Sequence, residues 1–303
     1  MDDLLIVVTG PTAVGKTALC MEIAKEYGLS VINADSRQIY NGMRIGTAAP
    51  SVEQMGEVRH FFVGTLSLDD YYNASMFEQD ALRVIGQQLA LQDPKGRRRA
   101  LMSGGSMMYI DAVCKGIDDI PTITEETRAM VKERLGREGL ESLCEELHKL
   151  DPDYYDIVDR HNTRRVVHGL EICLQTGQTY TSFRKRQPQK RPFKVATIVL
   201  NRPREELYQR INSRVDSMMQ SGLLEEAKRL YCHRHLNALN TVGYKEMFAY
   251  LDGTYSLDEA VERIKGNTRR YARKQLTWFK KYDDARWFNP SDTNEIMNYI
   301  SQL

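Results

Sequence analysis

The 303-residue chain has no C-x-x-C pair. Its five cysteines, Cys20, Cys114, Cys144, Cys173 and Cys232, are scattered and odd in number, the usage of reduced thiols and small buried hydrophobes rather than of a disulfide framework. Cys232, His233 and His235 stand close together, but no second cluster supplies the remaining ligands, so zinc is not expected. Long apolar runs are also missing. The first one, residues 4–8, follows the acidic Met1-Asp2-Asp3 and is far too short for a signal peptide or a membrane span. There is no internal repeat and no low-complexity segment. A cytoplasmic protein that works as a monomer is expected. With 42% hydrophobic and 27% charged residues, it can build an ordinary globular core. The length suits one large domain or a domain with an insertion.

A near-zero net charge of +1 hides a division along the chain. Residues 160–303 hold 26 Lys and Arg against 15 Asp and Glu, a charge of +11, and residues 1–159 hold 16 against 26, a charge of −10. A C-terminal half this basic suits a polyanion such as nucleic acid; solvated basic helix faces are the alternative.

The most informative stretch is Gly10-Pro11-Thr12-Ala13-Val14-Gly15-Lys16-Thr17. It follows the apolar run Leu4-Leu5-Ile6-Val7-Val8 and precedes the amphipathic Ala18-Leu19-Cys20-Met21. Strand, G-x-x-x-x-G-K-T and helix are the context of a phosphate-binding P-loop. The two glycines let the backbone turn its N–H groups inward. Lys16 adds a point charge, the helix N-terminus a partial one, and Thr17 a hydroxyl suited to magnesium. The ligand expected is a polyphosphate or a pyrophosphate.

Further strands read at residues 30–34, 60–63, 99–102 and 195–200, with helices at 17–27 and 75–92. Alternation of this kind predicts an α/β fold: a P-loop NTPase-like parallel sheet flanked by helices. Thr122-Ile123-Thr124-Glu125 fits a capping box opening a helix to about 136, followed by helices at 140–149, 152–158 and 163–175 and a basic, proline-containing loop at 184–192. Residues 117–192 are therefore expected to form a helical insertion domain, and 1–116 with 193–303 the P-loop core with C-terminal helices. Beyond Arg204 the chain reads as helical, interrupted at 237–243.

Loops at the carboxyl ends of parallel strands bind ligands, which brings Asp35-Ser36-Arg37-Gln38 and Gly104-Gly105-Ser106 beside the P-loop. Asp35 has three readings: holder of a magnesium-bound water, general base, or simple N-cap. No later strand ends in the apolar run plus Asp of a Walker B site, since residues 99–102 run into Ser103-Gly104-Gly105 and 195–200 into Asn201. Motor ATPases and GTPases are disfavoured, and a P-loop kinase of a small metabolite or nucleotide stays open. Arg210 and Arg214 share one helix face, where they could neutralise a leaving pyrophosphate or pair with Glu205, Glu206 or Asp216. Arg269, Arg270, Arg273 and Lys274 lie near Tyr271 and Trp278, an interleaving that suits RNA.

Taken together, the P-loop, Asp35-Ser36-Arg37-Gln38-Ile39-Tyr40, Met43-Arg44-Ile45-Gly46-Thr47-Ala48, Gly104-Gly105-Ser106-Met107-Met108-Tyr109, Arg165 with Gly169-Leu170-Glu171, Val242-Gly243-Tyr244-Lys245-Glu246 and Lys274-Gln275-Leu276-Thr277-Trp278 resemble the tRNA dimethylallyltransferase family, in order and over nearly the whole chain. The resemblance implies transfer of a dimethylallyl group from dimethylallyl diphosphate to N6 of adenosine 37, next to the anticodon of tRNA. It gives the P-loop to the diphosphate rather than ATP, with Mg2+ at Thr17, and makes Asp35 the base that takes the N6 proton. Lys16 and either Arg210 or Arg214 would stabilise the departing diphosphate. Contacts to tRNA are implied for Asp35, Ser36, Arg37 and Gln38, for Ser106 and Arg128, for Arg164, Arg165, Val166, Val167 and His168, and for Asn240, Thr241, Val242, Gly243, Tyr244 and Lys245. His168 stands where the family often has arginine, Arg164 where it often has glutamine, and Ser106 replaces a frequent threonine. Nothing resembles the C-terminal zinc finger of eukaryotic members, so the bacterial type is closer.

Overall fold

A computed structural model describes residues 3–184 and 189–303. It comprises two compact units, one of residues up to 115 together with 190–303 and one of residues 116–189.

In the first unit, β1 (Leu4–Thr9) is buried along its whole length. Leu4, Ile6 and Val8 enter one apolar cluster, Leu5 and Val7 the other. Apolar residues on both faces are what a central parallel strand requires, because helices cover it on either side. Then follow α1 (Lys16–Tyr27), β2 (Val31–Asn33), α2 (Val52–Glu57), β3 (His60–Phe61), α3 (Ala74–Leu89), β4 (Arg99–Gly104) and α4 (Met107–Lys115). After the second unit, whose helices are α5 (Glu125–Leu150), α6 (Pro152–Ile157), α7 (Thr163–Thr176) and α8 (Tyr180–Phe183), the first unit resumes with β5 (Lys194–Leu200), α9 (Arg204–Gln220), α10 (Leu223–Leu230), α11 (Tyr244–Leu251), α12 (Leu257–Phe279), β6 (Arg286–Phe288) and α13 (Thr293–Gln302). The strands form one sheet in the order β3-β2-β4-β1-β5-β6, parallel throughout. Thr9 stands opposite Gly104 on one side and Val199 on the other, so the P-loop and the loops after β2, β4 and β5 leave the same edge.

A third apolar cluster in this unit joins Ile39, Tyr40 and Met43 to α9–α12. The edge strand β6 departs from the all-helical reading of the C-terminal region. It is three residues long and largely exposed, too short to show any alternation.

The second unit packs Val131, Leu143 and Leu147 of α5 against Val166 and Leu170 of α7. The expected capping box at Thr122 is not formed. Gln175 holds residues 122–124 extended, donating to Thr122 O at 2.8 Å and accepting from Thr124 N at 2.7 Å, and Thr124 itself is the N-cap. Gly139, at φ 80° and ψ 170°, divides α5 into the two helical stretches read from the sequence. Arg191, expected in the insertion, belongs to the core, where it donates to Val113 O at 2.8 Å and pairs with Glu78. Of the loop at 184–192, residues 185–188 lie outside the described residues.

Candidate active site

The P-loop, the loops after β2 and β4, and one face of α9 enclose a cleft of about 820 Å3 within the first unit. Its floor depends on Gly10, whose φ of 145° no L side chain tolerates well. A Cβ there would also lie 2.4 Å from Leu200 O, so the loop can hug β5 only with glycine at this position. Val14 is fully buried beneath the loop, whereas Thr12, Ala13, Gly15, Lys16 and Thr17 line the cleft. Pro11 is buried and offers the cradle its carbonyl.

Lys16 Nζ donates to Gly10 O at 3.0 Å and Pro11 O at 2.9 Å, and an ammonium carries one further N–H. Burial first, and then the charge of Arg214, lower the Lys16 ammonium to about 8, with Asp35 acting the other way. Arg214 faces the same cleft, and burial lowers its guanidinium too. Arg210 Nε donates to Ala13 O at 3.0 Å. Two of the three carboxylates that could have claimed this arginine pair are engaged elsewhere, Glu206 with Arg202 and Asp216 with Lys265 at 2.8 Å. Both arginines line the cleft as cations.

Asp35 lines the same cleft, half-buried, and its charge acts on both Lys16 and Arg214. Its Oδ1 accepts from Arg37 N at 2.9 Å and Gln38 N at 3.3 Å, so the carboxylate closes a turn rather than capping a helix, and this takes one oxygen only. Ser36 N donates to Ser106 Oγ at 2.8 Å, tying the loops after β2 and β4. Arg37 and Gln38, expected on the RNA surface, also brace the backbone, Arg37 with one guanidinium nitrogen and Gln38 with its amide nitrogen. Arg37 binds Asn237 O at 2.8 Å and Gln38 Nε2 binds Thr47 O at 3.0 Å. Tyr244 needs a correction: its ring is fully buried and its hydroxyl donates to Glu226 at 2.6 Å. Gly243 is buried beside it, while Asn240 and Lys245 are exposed and Thr241 and Val242 half-buried.

Two residues with no expected role organise the cleft. Gln275 is 1% exposed, and its amide joins the P-loop to the loop after β4, accepting from Thr12 N and donating to Gly105 O, both at 2.9 Å. Glu226 accepts from the backbone N–H of Arg44, Ile45 and Gly46 as well as from Tyr244, and so anchors the segment whose Thr47 and Ala48 wall the cleft. A Cβ on Gly46 would lie 2.6 Å from the Tyr244 ring, so the two glycine-containing motifs pack against each other only with glycine at position 46. On α12, Tyr271 lines the cleft, but Trp278 donates to Asp111 at 2.8 Å and packs in the core, so it is a brace rather than a stacking platform.

A family model described as IPP transferase matches residues 38–282. The chain is 56% identical over 303 residues to tRNA dimethylallyltransferase 1 of Phocaeicola vulgatus, covering 100% of this chain and 99% of the relative. The chain belongs to the IPP transferase family. The enzyme of that family named tRNA dimethylallyltransferase 1 in Porphyromonas gingivalis is 50% identical, with 99% of each chain covered. A solved tRNA isopentenylpyrophosphate transferase of Bacillus halodurans is 34% identical with a TM-score of 0.70, covering 100% of this chain and 96% of that one. A eukaryotic dimethylallyltransferase shares the fold at a TM-score of 0.82 and 24% identity, covering 99% and 80%. This member of the transferase family therefore carries a P-loop fold at the service of group transfer.

In its second unit, Arg128, Arg164 and Arg165 are exposed and Val167 and His168 half-buried, but Val166 is fully buried against α5 and presents no side chain to a partner. Among the described residues no three His, Cys, Asp or Glu converge as a metal cluster, and no helix is long and apolar enough to cross a membrane.

Proposed function

We propose that the chain transfers a dimethylallyl group from dimethylallyl diphosphate to N6 of adenosine 37 of tRNA, releasing diphosphate. The observation that carries this reading is that Asp35, Lys16, Arg210 and Arg214 line one cleft floored by the P-loop. An aromatic amine is a weak nucleophile because its lone pair is delocalised into the ring. A carboxylate that accepts the N6 proton as the N6–C1 bond forms is what such an amine needs. The Asp35 oxygen outside the capping turn suits that task. As the C1–O bond breaks, its electron pair leaves with the diphosphate. Lys16, Arg214 and Arg210 then face the charge that develops, in a site where burial strengthens their field.

Magnesium fits these residues. It takes one or two protein oxygens together with substrate phosphates, and the Thr17 hydroxyl and the Asp35 carboxylate line the cleft without a cysteine or histidine cluster to favour a softer metal. Thr17 would hold it, and it would add positive charge to the leaving diphosphate. The small-molecule kinase reading has no observation in its favour, since relatives 50–56% identical over the whole chain are named tRNA dimethylallyltransferases. Unmodified tRNA, magnesium and labelled dimethylallyl diphosphate, mixed with the protein, should yield labelled tRNA; ATP turnover without label in tRNA would reverse the conclusion.

A further inference from the structure

A second cavity of about 560 Å3 opens beside the outer wall of the P-loop, at the carboxyl ends of β5 and β6, and shares no lining residue with the cleft. Leu207 of α9 and Ala272 and Leu276 of α12 form its apolar base, and Tyr208, Trp287 and Phe288 supply aromatic rings. Its lining contains three arginines and no carboxylate.

The three arginines are not equivalent. Arg202 is consumed by structure: its Nε donates to Val14 O at 2.9 Å and its guanidinium pairs with Glu206. Arg204 lies 5.2 Å from the centre of the Tyr208 ring, and Arg273 donates to the Tyr208 hydroxyl at 2.9 Å. Neither has a carboxylate partner among the described residues. Both are held by an aromatic ring, and together they lower the Tyr208 hydroxyl below its ordinary value. Trp287, on the edge strand, is 38% exposed, and its ring faces no aromatic neighbour among the described residues. A bare anion would need the arginines but not the apolar base or the indole. An apolar ligand would need the base but not two uncompensated guanidiniums.

We propose that this cavity binds a nucleotide, with the base stacked on Trp287 over the apolar floor and the phosphate at Arg204 and Arg273. Base–aromatic stacking combined with cationic phosphate contacts is the general physics of single-strand recognition. The nucleotide comes either from the RNA substrate or from a free mononucleotide. The chemistry of the cavity does not depend on the prenyl-transfer reading.

Trp278 and Trp287 are the only two tryptophans, so Trp278→Phe leaves Trp287 as the sole indole reporter. In that background AMP and UMP should quench Trp287 fluorescence saturably at millimolar concentration. The added pair Arg204→Ala and Arg273→Ala should weaken the response at least about tenfold, and Lys16→Ala should leave it intact because the P-loop is a separate site. Circular dichroism establishes that each variant is folded. Quenching by tRNA that excess mononucleotide reverses assigns the site to the RNA; quenching by mononucleotide that persists with tRNA bound assigns it to a free nucleotide. Equal quenching by inorganic phosphate alone, a response unchanged in the arginine variant, or no response to either mononucleotide or tRNA would each overturn the proposal.

Discussion

Gln275 Oε1 accepts the Thr12 backbone N–H at 2.9 Å, so a residue near the C-terminal end of α12 fixes the geometry of the P-loop. Thr12 N is thereby spent on the protein, and the cradle must use its other N–H groups. Replacing Gln275 by Leu takes the partner from the part-buried Thr12 N and leaves Gly105 O only the long bond from the Tyr271 hydroxyl at 3.5 Å, at about 1–3 kcal/mol for a group left without partner or water. The expected result is a lower melting temperature together with a raised KM for dimethylallyl diphosphate. A variant that loses stability but keeps that KM would show that Gln275 supports the fold and not the loop.

Lys16 offers a pH signature. Its ammonium titrates near 8 because it is buried beside Arg214, and a bound diphosphate would raise that value by returning negative charge. Diphosphate binding at pH 8 and above should therefore take up part of a proton, and affinity should fall by up to about tenfold per pH unit above 8. Calorimetry in buffers of different ionisation enthalpy measures the proton uptake. Lys16→Ala should abolish the uptake and weaken diphosphate binding while leaving tRNA binding intact. Uptake that survives the substitution would assign the proton to another group.

Binding of tRNA should depend steeply on salt, because neutralising phosphates releases counterions. Residues 160–303 carry the +11 charge, and among the described residues most arginines outside salt bridges lie there, including Arg210, Arg214, Arg204 and Arg273. Affinity measured by filter binding between low and physiological salt should drop by orders of magnitude. A flat profile would mean that the basic half is only a solvated surface.

Features encoded locally were legible in the sequence. The apolar run at residues 4–8 gave the central strand, and the glycine spacing gave the loop that wraps Leu200. Contacts between distant residues were not. Gln275 and Thr12 are separated by 263 positions, and a single glutamine in a helix carries no mark of its partner. Glu226 looks like one of two adjacent acidic helix residues until Arg44, Ile45 and Gly46 fold onto it. The motif containing Tyr244 was visible, yet only the contact of its ring with Gly46 shows that it holds the wall of the cleft rather than facing outward. The resemblance implied a tRNA contact for Arg37, and nothing local marks that its guanidinium also donates to Asn237 O, 200 residues away.

Asp35 carries the central claim, because every other cation and hydroxyl of the cleft suits any diphosphate-binding protein. Asp35→Asn keeps the shape and the acceptor oxygen that caps the turn but cannot take a proton. Single-turnover rates of dimethylallyl transfer, with tRNA and diphosphate saturating, should fall by roughly 10²–10⁴-fold, and the defect should persist across a magnesium series to saturation. Full rescue by added magnesium would make Asp35 a metal residue only, and a wild-type rate throughout would contradict its place in the reaction altogether.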